Sequence, residues 1–225
     1  MRISAIHELL EGEGSNAGIP MLLIRTSGCN LKCTYASSHC DQPDALDASL
    51  GKEYNLQQLV TTVSASKYRW VMVSGGEPLI WQGELGSLII RFPSQDWEVN
   101  TNGSISPPSW WSSVKTWVVD QKVPSSGAES KKIDKWKSIF RPRDCLKFVV
   151  QTENDLEFVL RNKANCCQNI VSPVIWDVQE VYGKMIIGRE QVAWNKLVAE
   201  FCLEYELRYS IQAHKIVWGM ERQDK

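Results

Sequence analysis

The rhythm of the chain constrains its fold more than any single residue. Short runs rich in β-branched and aliphatic side chains recur at Met21 to Thr26, Trp70 to Ser74, Trp97 to Thr101, Thr116 to Val119, Leu146 to Val150, Ile170 to Val174 and Leu207 to Ile211, each of strand length. Helical periodicity fills several of the gaps. Leu56, Leu59, Val60 and Val63 share one face, and Trp194, Leu197, Val198, Phe201, Cys202 and Tyr205 share another. Thr152 followed by Asp155 resembles a capping box and opens a third helix carrying Leu156, Val159 and Leu160. Strands alternating with helices imply parallel neighbours joined by right-handed crossovers. The expected class is α/β, a mostly parallel sheet curled into an incomplete β/α barrel, because about six or seven strands do not close one. With 43% hydrophobic residues in 225 and no repeat or long linker, a single domain over residues 1–225 is expected.

Charge and hydropathy exclude several classes of function. Lys plus Arg is 25 and Asp plus Glu is 26, which removes the usual electrostatic reason for direct nucleic-acid or membrane-surface binding. Aliphatic runs such as Met21 to Ile24 are far short of the roughly 20 residues of a membrane helix. The first residues reach acidic Glu8 before an apolar segment of signal-peptide length can form, so a cytoplasmic location is expected.

The polar signals collect where strands end. Gly28-Cys29 follows the first of these strands, Ser74-Gly75-Gly76-Glu77-Pro78 the second, Asn100-Thr101-Asn102-Gly103 the third, Asp120-Gln121-Lys122 the fourth and His214 the last. In parallel α/β folds that edge binds ligands, because its loops vary without disturbing the core. One shared site is the economical reading.

Cysteine usage sharpens it. The count of seven is odd, and three fall between Cys29 and Cys40, a pattern of metal or redox chemistry rather than a disulfide framework. Cys145, Cys166, Cys167 and Cys202 are scattered and read as small buried hydrophobes. Taken alone, Cys29, Cys33 and Cys40 serve two purposes equally well. They can hold three irons of a 4Fe–4S cluster and leave the fourth open, or join His39 in a tetrahedral zinc site of an interaction module.

Neighbouring motifs carry a resemblance. Gly-Cys-Asn-Leu-Lys-Cys at 28–33, Ser-Gly-Gly-Glu-Pro-Leu at 74–79 and Thr-Asn-Gly at 101–103 resemble the radical S-adenosylmethionine (SAM) enzymes. Glu11-Gly12-Glu13-Gly14, with Asn16, Gly18 and Pro20 ahead of the strand ending near Arg25, narrows the match. So do Lys122 to Gly127, Lys147-Phe148-Val149-Val150 and Gln212-Ala213-His214-Lys215-Ile216-Val217-Trp218. In that order, over nearly the whole chain, these look like the 7-carboxy-7-deazaguanine synthases. A rival within enzymes, a small radical SAM protein such as a glycyl-radical activase, shares the cysteine loop but does not need Glu11 to Gly14 or His214.

The resemblance implies a site and a reaction. Cys29, Cys33 and Cys40 hold the 4Fe–4S cluster; His39, Asp41, Gly75, Gly76, Glu77, Asn100, Asp120, Gln121 and Lys122 surround SAM; and Gln42 stands where Mg²⁺ is bound. Ser74, Glu11, Gly12, Glu13, Arg25 and His214 receive a pterin, with Arg25 on its carboxylate, a planar bidentate match. A radical made from SAM takes hydrogen from 6-carboxy-5,6,7,8-tetrahydropterin, whose ring contracts and loses ammonia to give 7-carboxy-7-deazaguanine, the acidic 7-deazapurine of queuosine-type biosynthesis. A homodimer and an external one-electron reductant of the flavodoxin type are implied as partners. The chain departs from the family pattern in the six residues separating Cys33 from Cys40, in Gln42 where a threonine is usual, and in Asn100 and Asp120-Gln121-Lys122.

Overall fold

The computed structural model describes residues 1–34, 40, 42–176, 178–181 and 184–218. In chain order the elements are β1 (Arg2–Leu10), β2 (Pro20–Thr26), β3 (Lys52–Glu53), α1 (Leu56–Ala65), β4 (Trp70–Gly75), α2 (Gln82–Ile89), β5 (Asp96–Thr101) and β6 (Thr116–Asp120). There follow α3 (Ile133–Lys137), β7 (Cys145–Val150), α4 (Glu153–Asn162), β8 (Gln168–Pro173), β9 (Val178–Val181), β10 (Lys184–Ile187), α5 (Arg189–Glu204), β11 (Arg208–Tyr209) and α6 (Ala213–Trp218). A nine-stranded open sheet runs in the order β11-β8-β7-β6-β5-β4-β2-β1-β3. The seven strands from β11 to β2 in that order are parallel, and β1 alone is reversed, pairing antiparallel with β2 on one side and with β3 on the other. The expected α/β class with a mostly parallel, unclosed sheet is what forms.

Local chemistry starts the helices where the sequence places them. Asn55 accepts from the Gln58 amide at 2.9 Å while Gln58 Oε1 accepts from the Asn55 amide at 2.9 Å, a reciprocal cap on α1. Thr152 and Asp155 do the same for α4, and Asp155 also accepts from the backbone N–H of Ser125 at 3.0 Å, tying the β6 loop to that helix. The rhythm of aliphatic runs did not extend to β1, where Ser4, His7 and Glu8 interrupt the apolar residues. That strand forms because β2 supplies a full antiparallel partner and one face stays half open. The hairpin β9–β10 and the short helices α2, α3 and α6 likewise lie outside that rhythm.

The strands divide their side chains by the period of two. One set, including Ile24, Val73, Trp97, Val99, Trp117, Val119, Leu146, Phe148 and Val171, packs with Leu59, Leu85, Leu88, Trp136, Leu156 and Val198 of the helices in the main core. The alternate set faces the concave side. There Met21, Leu23 and Met72 form one small apolar cluster and Val118, Cys145 and Ile170 another. Polar and charged residues occupy the rest: Arg25 beside Ser74, Glu98 beside Met72 and Thr116, Asp120 beside Lys147.

Residues 11–19, joining β1 to β2, contribute the wall that an unclosed barrel lacks. The Asn16 amide donates to Glu98 on β5 at 2.5 Å, Lys147 on β7 donates to Glu13 at 2.9 Å, Ser172 on β8 donates to Glu13 at 3.3 Å, and the Gly14 N–H reaches Ser210 at 2.9 Å. One loop thereby spans the concave face from β5 to β8.

Candidate active site

A cavity opens between that loop and the C-terminal ends of the parallel strands. Cys29, Cys33 and Cys40 line it together with Gln42. Arg25 and Ser74 reach it from the adjacent ends of β2 and β4, and Gly75, Gly76, Asn100, Asp120 and Lys122 from the strand ends beyond. Glu11, Gly12, Glu13 and His214 close the opposite wall. The expected residues are thus brought to one place, with four exceptions. His39 and Asp41 lie outside the described residues. Glu77 and Gln121 do not line the cavity.

Glu77 is consumed by the scaffold. Its fully buried carboxyl accepts from the N–H of Leu79 at 3.0 Å, the hydroxyl of Thr101 at 2.8 Å and the N–H of Asn102 at 2.7 Å. It therefore caps the turn Pro78–Trp81 and clamps the loop after β4 to the loop after β5. Burial pushes its pKa up while those donors work against the rise. Gln121 is buried toward α4, where its amide donates to Asn162 at 3.1 Å.

The cysteine loop is held from several sides. A Cβ on Gly76 would lie 2.1 Å from the carbonyl oxygen of Gly28, so only glycine lets these two loops meet. The amides of Gly28 and Cys29 donate to Ala45 and Leu46 at 2.8 and 3.0 Å, and the N–H of Thr34 donates to Ser126 at 2.8 Å. Asn102 contributes twice, its amide donating to Asn30 at 3.1 Å and approaching the Cys29 sulfur at 3.8 Å, while the N–H of Leu31 lies 3.5 Å from that sulfur. Burial raises the Cys29 pKa overall, and these N–H groups work against that rise, toward the thiolate form a metal requires.

Among the described residues no three His, Cys, Asp or Glu side chains converge as ligands of one ion must. Three half-buried thiols line the one cavity, the ligand number that three irons of a cluster take. Farther in, Asn100 Oδ1 and Asp120 Oδ1 are buried acceptors with no donor. Both residues line the cavity, and buried acceptors call for donor groups on a ligand. An ammonium group and ribose hydroxyls are such donors, so the residues present fit SAM.

The opposite wall carries an opposed pair of carboxyls. Burial alone raises the pKa of Glu13, but Lys147, with His214 and Lys215, outweighs it and holds the group down at about 2. Burial works against the charge of Lys147, yet Glu13 and Asp120 together raise its pKa above the usual lysine value. Glu11 shifts the other way: burial and the neighbouring Glu98 raise it well above the carboxylate range. Glu98 is raised by its own burial despite the Asn16 hydrogen bond. A Cβ on Gly12 would meet His214 Nδ1 at 2.1 Å, and the N–H of Ala213 donates to the Gly12 carbonyl at 2.9 Å, which seats α6 directly on this loop.

The cavity residues beyond those expected include the polar Lys147, Asn102, Thr101 and His7. Lys147 and His7 sit inside strands, where a charged or ionisable residue at a concave-facing position was the available signal, the same signal that singles out Arg25. Asn102 belongs to the Thr-Asn-Gly motif at 101–103 without a role of its own.

An open, mostly parallel α/β sheet with a three-cysteine loop at its C-terminal edge defines an enzyme of the radical SAM type. No protein-family model matches the chain. It is 30% identical to the 7-carboxy-7-deazaguanine synthase of Leptospira interrogans, over 97% of both chains. It is 28% identical to that of Thermoplasma acidophilum, over 97% of this chain and 98% of the other. The crystal structure of QueE from Escherichia coli superposes with a TM-score of 0.68 at 17% identity, covering 95% of this chain and 94% of that one, a likeness of fold. The chain belongs to the 7-carboxy-7-deazaguanine synthase family. Neither the activase nor the zinc-module alternative is favoured by these relatives.

Proposed function

We propose that the protein converts 6-carboxy-5,6,7,8-tetrahydropterin to 7-carboxy-7-deazaguanine, acting as a carbon–nitrogen lyase. The observation that carries this reading is one cavity with thiols at one end and a cation, a carboxylate and a histidine at the other. A 4Fe–4S cluster and SAM, when bound, supply the radical that takes hydrogen from the substrate.

The chain's own residues bind and orient. Cys29, Cys33 and Cys40 hold the cluster, and Asn102 steadies the first of them. Asn100 and Asp120 accept hydrogen bonds from SAM, Lys122 stands beside Asp120 at 3.0 Å, and Gly75 and Gly76 let the backbone approach. Glu77 acts one layer back, fixing the loops that carry these groups. At the substrate end Arg25 receives the carboxylate in a planar two-point contact, with Ser74 next to it. Glu13, kept ionised by Lys147, accepts from ring N–H groups, and His214 packs over Gly12. Leu9, Leu23, Met72 and Val118 in the wall restrict water, and the holding of reactants in register is the protein's main contribution to rate.

Gln42 is proposed as a neutral oxygen ligand to Mg²⁺, an ion that takes hard oxygens and retains waters. Turnover indifferent both to added Mg²⁺ and to a chelator would remove it from that role. A flavodoxin-type electron donor and a homodimer complete the proposal.

The test is anaerobic purification with an iron count. Wild type should carry about four irons, absorb in the visible and cleave SAM under reduction. Alanine at Cys29, Cys33 or Cys40 should abolish cleavage, whereas alanine at Cys145, Cys166, Cys167 or Cys202 should leave iron content near wild type. A colourless wild-type protein holding one zinc would overturn the reading, and an intact cluster in Cys40→Ala would overturn the ligand set.

A further inference from the structure

The wall that faces the substrate contains a carboxyl, Glu11, that the resemblance places at the pterin without assigning its side chain a protonation state or a bond. Glu11 is 4% exposed and lines the cavity. Its Oε1 accepts from the backbone N–H of Glu13 at 3.0 Å, whereas its Oε2 is buried with no hydrogen-bond partner. Lys147 acts on Glu11 only at a distance, its ammonium donating to Glu13 at 2.9 Å and lying 3.9 Å from Asp120. The group that faces Glu11 from β5 is a second buried carboxyl, Glu98, 1% exposed and held by Asn16. A carboxylate stripped of water, with one oxygen unbonded and set against another carboxyl, is costly, and it takes up a proton instead. An acid in that position gains what its orphaned oxygen lacks, a hydroxyl that donates.

We propose that Glu11 is held as a neutral carboxylic acid whose Oε2 hydroxyl donates to a ring carbonyl of the substrate, beside an N–H that the ionised Glu13 accepts. This rests on the pterin reading above and names the edge of the ring that is read. Two carboxyls lining the same cavity, two residues apart, are driven to opposite protonation states, one by burial and Glu98, the other by Lys147. Such a donor and acceptor side by side complement a lactam edge, C=O next to N–H, as found in the pyrimidinone half of a pterin. A ring bearing an amino group in place of the oxo group would set donor against donor, leaving buried polar groups unpaired, and a site built on hydrogen bonds discriminates strongly against that.

The ionisable groups that influence Glu11 are Glu98 from β5, Glu13 on its own loop and Lys147 from β7. His214 from α6 packs on Gly12 beside it, and His7 and Arg25 stand on the cavity wall formed by β1 and β2. The sign follows from the acid form being the donor. Binding is at full strength below the folded pKa of Glu11 and falls as pH rises through it.

Infrared difference spectroscopy and equilibrium binding of the carboxylated pterin test this together. Wild type should show a buried protonated-carboxyl band at pH 7 that is lost in Glu11→Gln and persists in part in Glu98→Gln. Pterin affinity of wild type should fall tenfold or more at alkaline pH. Glu11→Gln, whose amide still donates and whose oxygen still accepts from Glu13, should stay within tenfold of wild type at pH 7 and become independent of pH. The amino-for-oxo analogue should bind wild type at least tenfold more weakly than the pterin. Absence of the band, pH-independent binding by wild type, or equal affinity for the analogue would overturn the proposal. Wild type that shows the band yet binds no pterin would leave Glu11 an acid while overturning both its substrate contact and the proposed function.

Discussion

The two faces of the sheet are built from the same strands and serve opposite ends. On the helix-covered face Trp97, Trp117, Phe148 and their neighbours are buried among apolar side chains. On the concave face, one residue out of phase, Arg25, Glu98, Asn100, Asp120 and Lys147 are gathered into a polar, partly buried site. The first arrangement gains free energy from burial. The second spends some of it, because charges removed from water must find partners, and residues 11–19 exist largely to supply them. Fold stability and site chemistry are thus interleaved at single-residue spacing, and each face can be perturbed by itself.

The largest effect should come from the covered face. Trp117 is 1% exposed, stacks among Trp110 and Trp136 and donates to the Trp111 carbonyl at 2.9 Å. Trp117→Ala should cost about 3–5 kcal/mol of unfolding free energy, read by urea denaturation, with iron content unchanged in the fraction that remains folded. A loss under about 1 kcal/mol would mean the covered face is not where stability resides.

On the concave face, Lys147→Met should strand the Glu13 carboxylate among other acids and cost about 3 kcal/mol at neutral pH. Glu13 has a depressed folded pKa of about 2, so its pairing stabilises above its unfolded value near ~4.3 and that stability is lost as pH falls toward the folded value. The raised pKa of Lys147 keeps its half of the pair in place throughout the neutral range. The cost of the substitution should therefore be full near neutrality and shrink only below about pH 4, as pH falls toward 2, and a cost independent of pH across that range would contradict the pairing.

These two residues also mark how far the sequence could be read. Trp117 belongs to a strand whose run of Thr-Trp-Val-Val announces itself, and all seven such runs form strands. Lys147 lies within an equally clear strand, yet its partner Glu13 is 134 residues away, and nothing local says that a loop will fold across the barrel to meet it. The same holds for Glu98 and Asn16, separated by 82 residues. The cysteine loop, the glycine turn and Arg25 were legible because their chemistry is written within a few residues. Glu77 was legible as a site residue but not as a clamp, because its three donors come from two different loops.

Smaller in stability but specific to the site is Arg25→Ala. Loss of a charge-assisted two-point contact should weaken pterin binding by about 2–4 kcal/mol while shifting unfolding by less than about 1 kcal/mol. Unchanged catalytic efficiency would remove Arg25 from the substrate. The smallest effect should be that of Glu98→Gln. A carboxyl with a raised folded pKa stabilises below its unfolded value and loses that contribution as pH rises through the folded one. The variant should gain thermal stability relative to wild type at pH 8 more than at pH 5, and an equal difference at both would mean that Glu98 is not a strained acid.

The central claim is that one cavity joins a cysteine-bound cluster to a pterin pocket. Anaerobic incubation of the purified protein with SAM, a reductant and 6-carboxy-5,6,7,8-tetrahydropterin, with mass analysis of the products, tests it most directly. The account predicts 7-carboxy-7-deazaguanine together with 5′-deoxyadenosine, both absent when Cys29, Cys33 or Cys40 is replaced by alanine. SAM cleavage at full rate with the pterin recovered unchanged would contradict it.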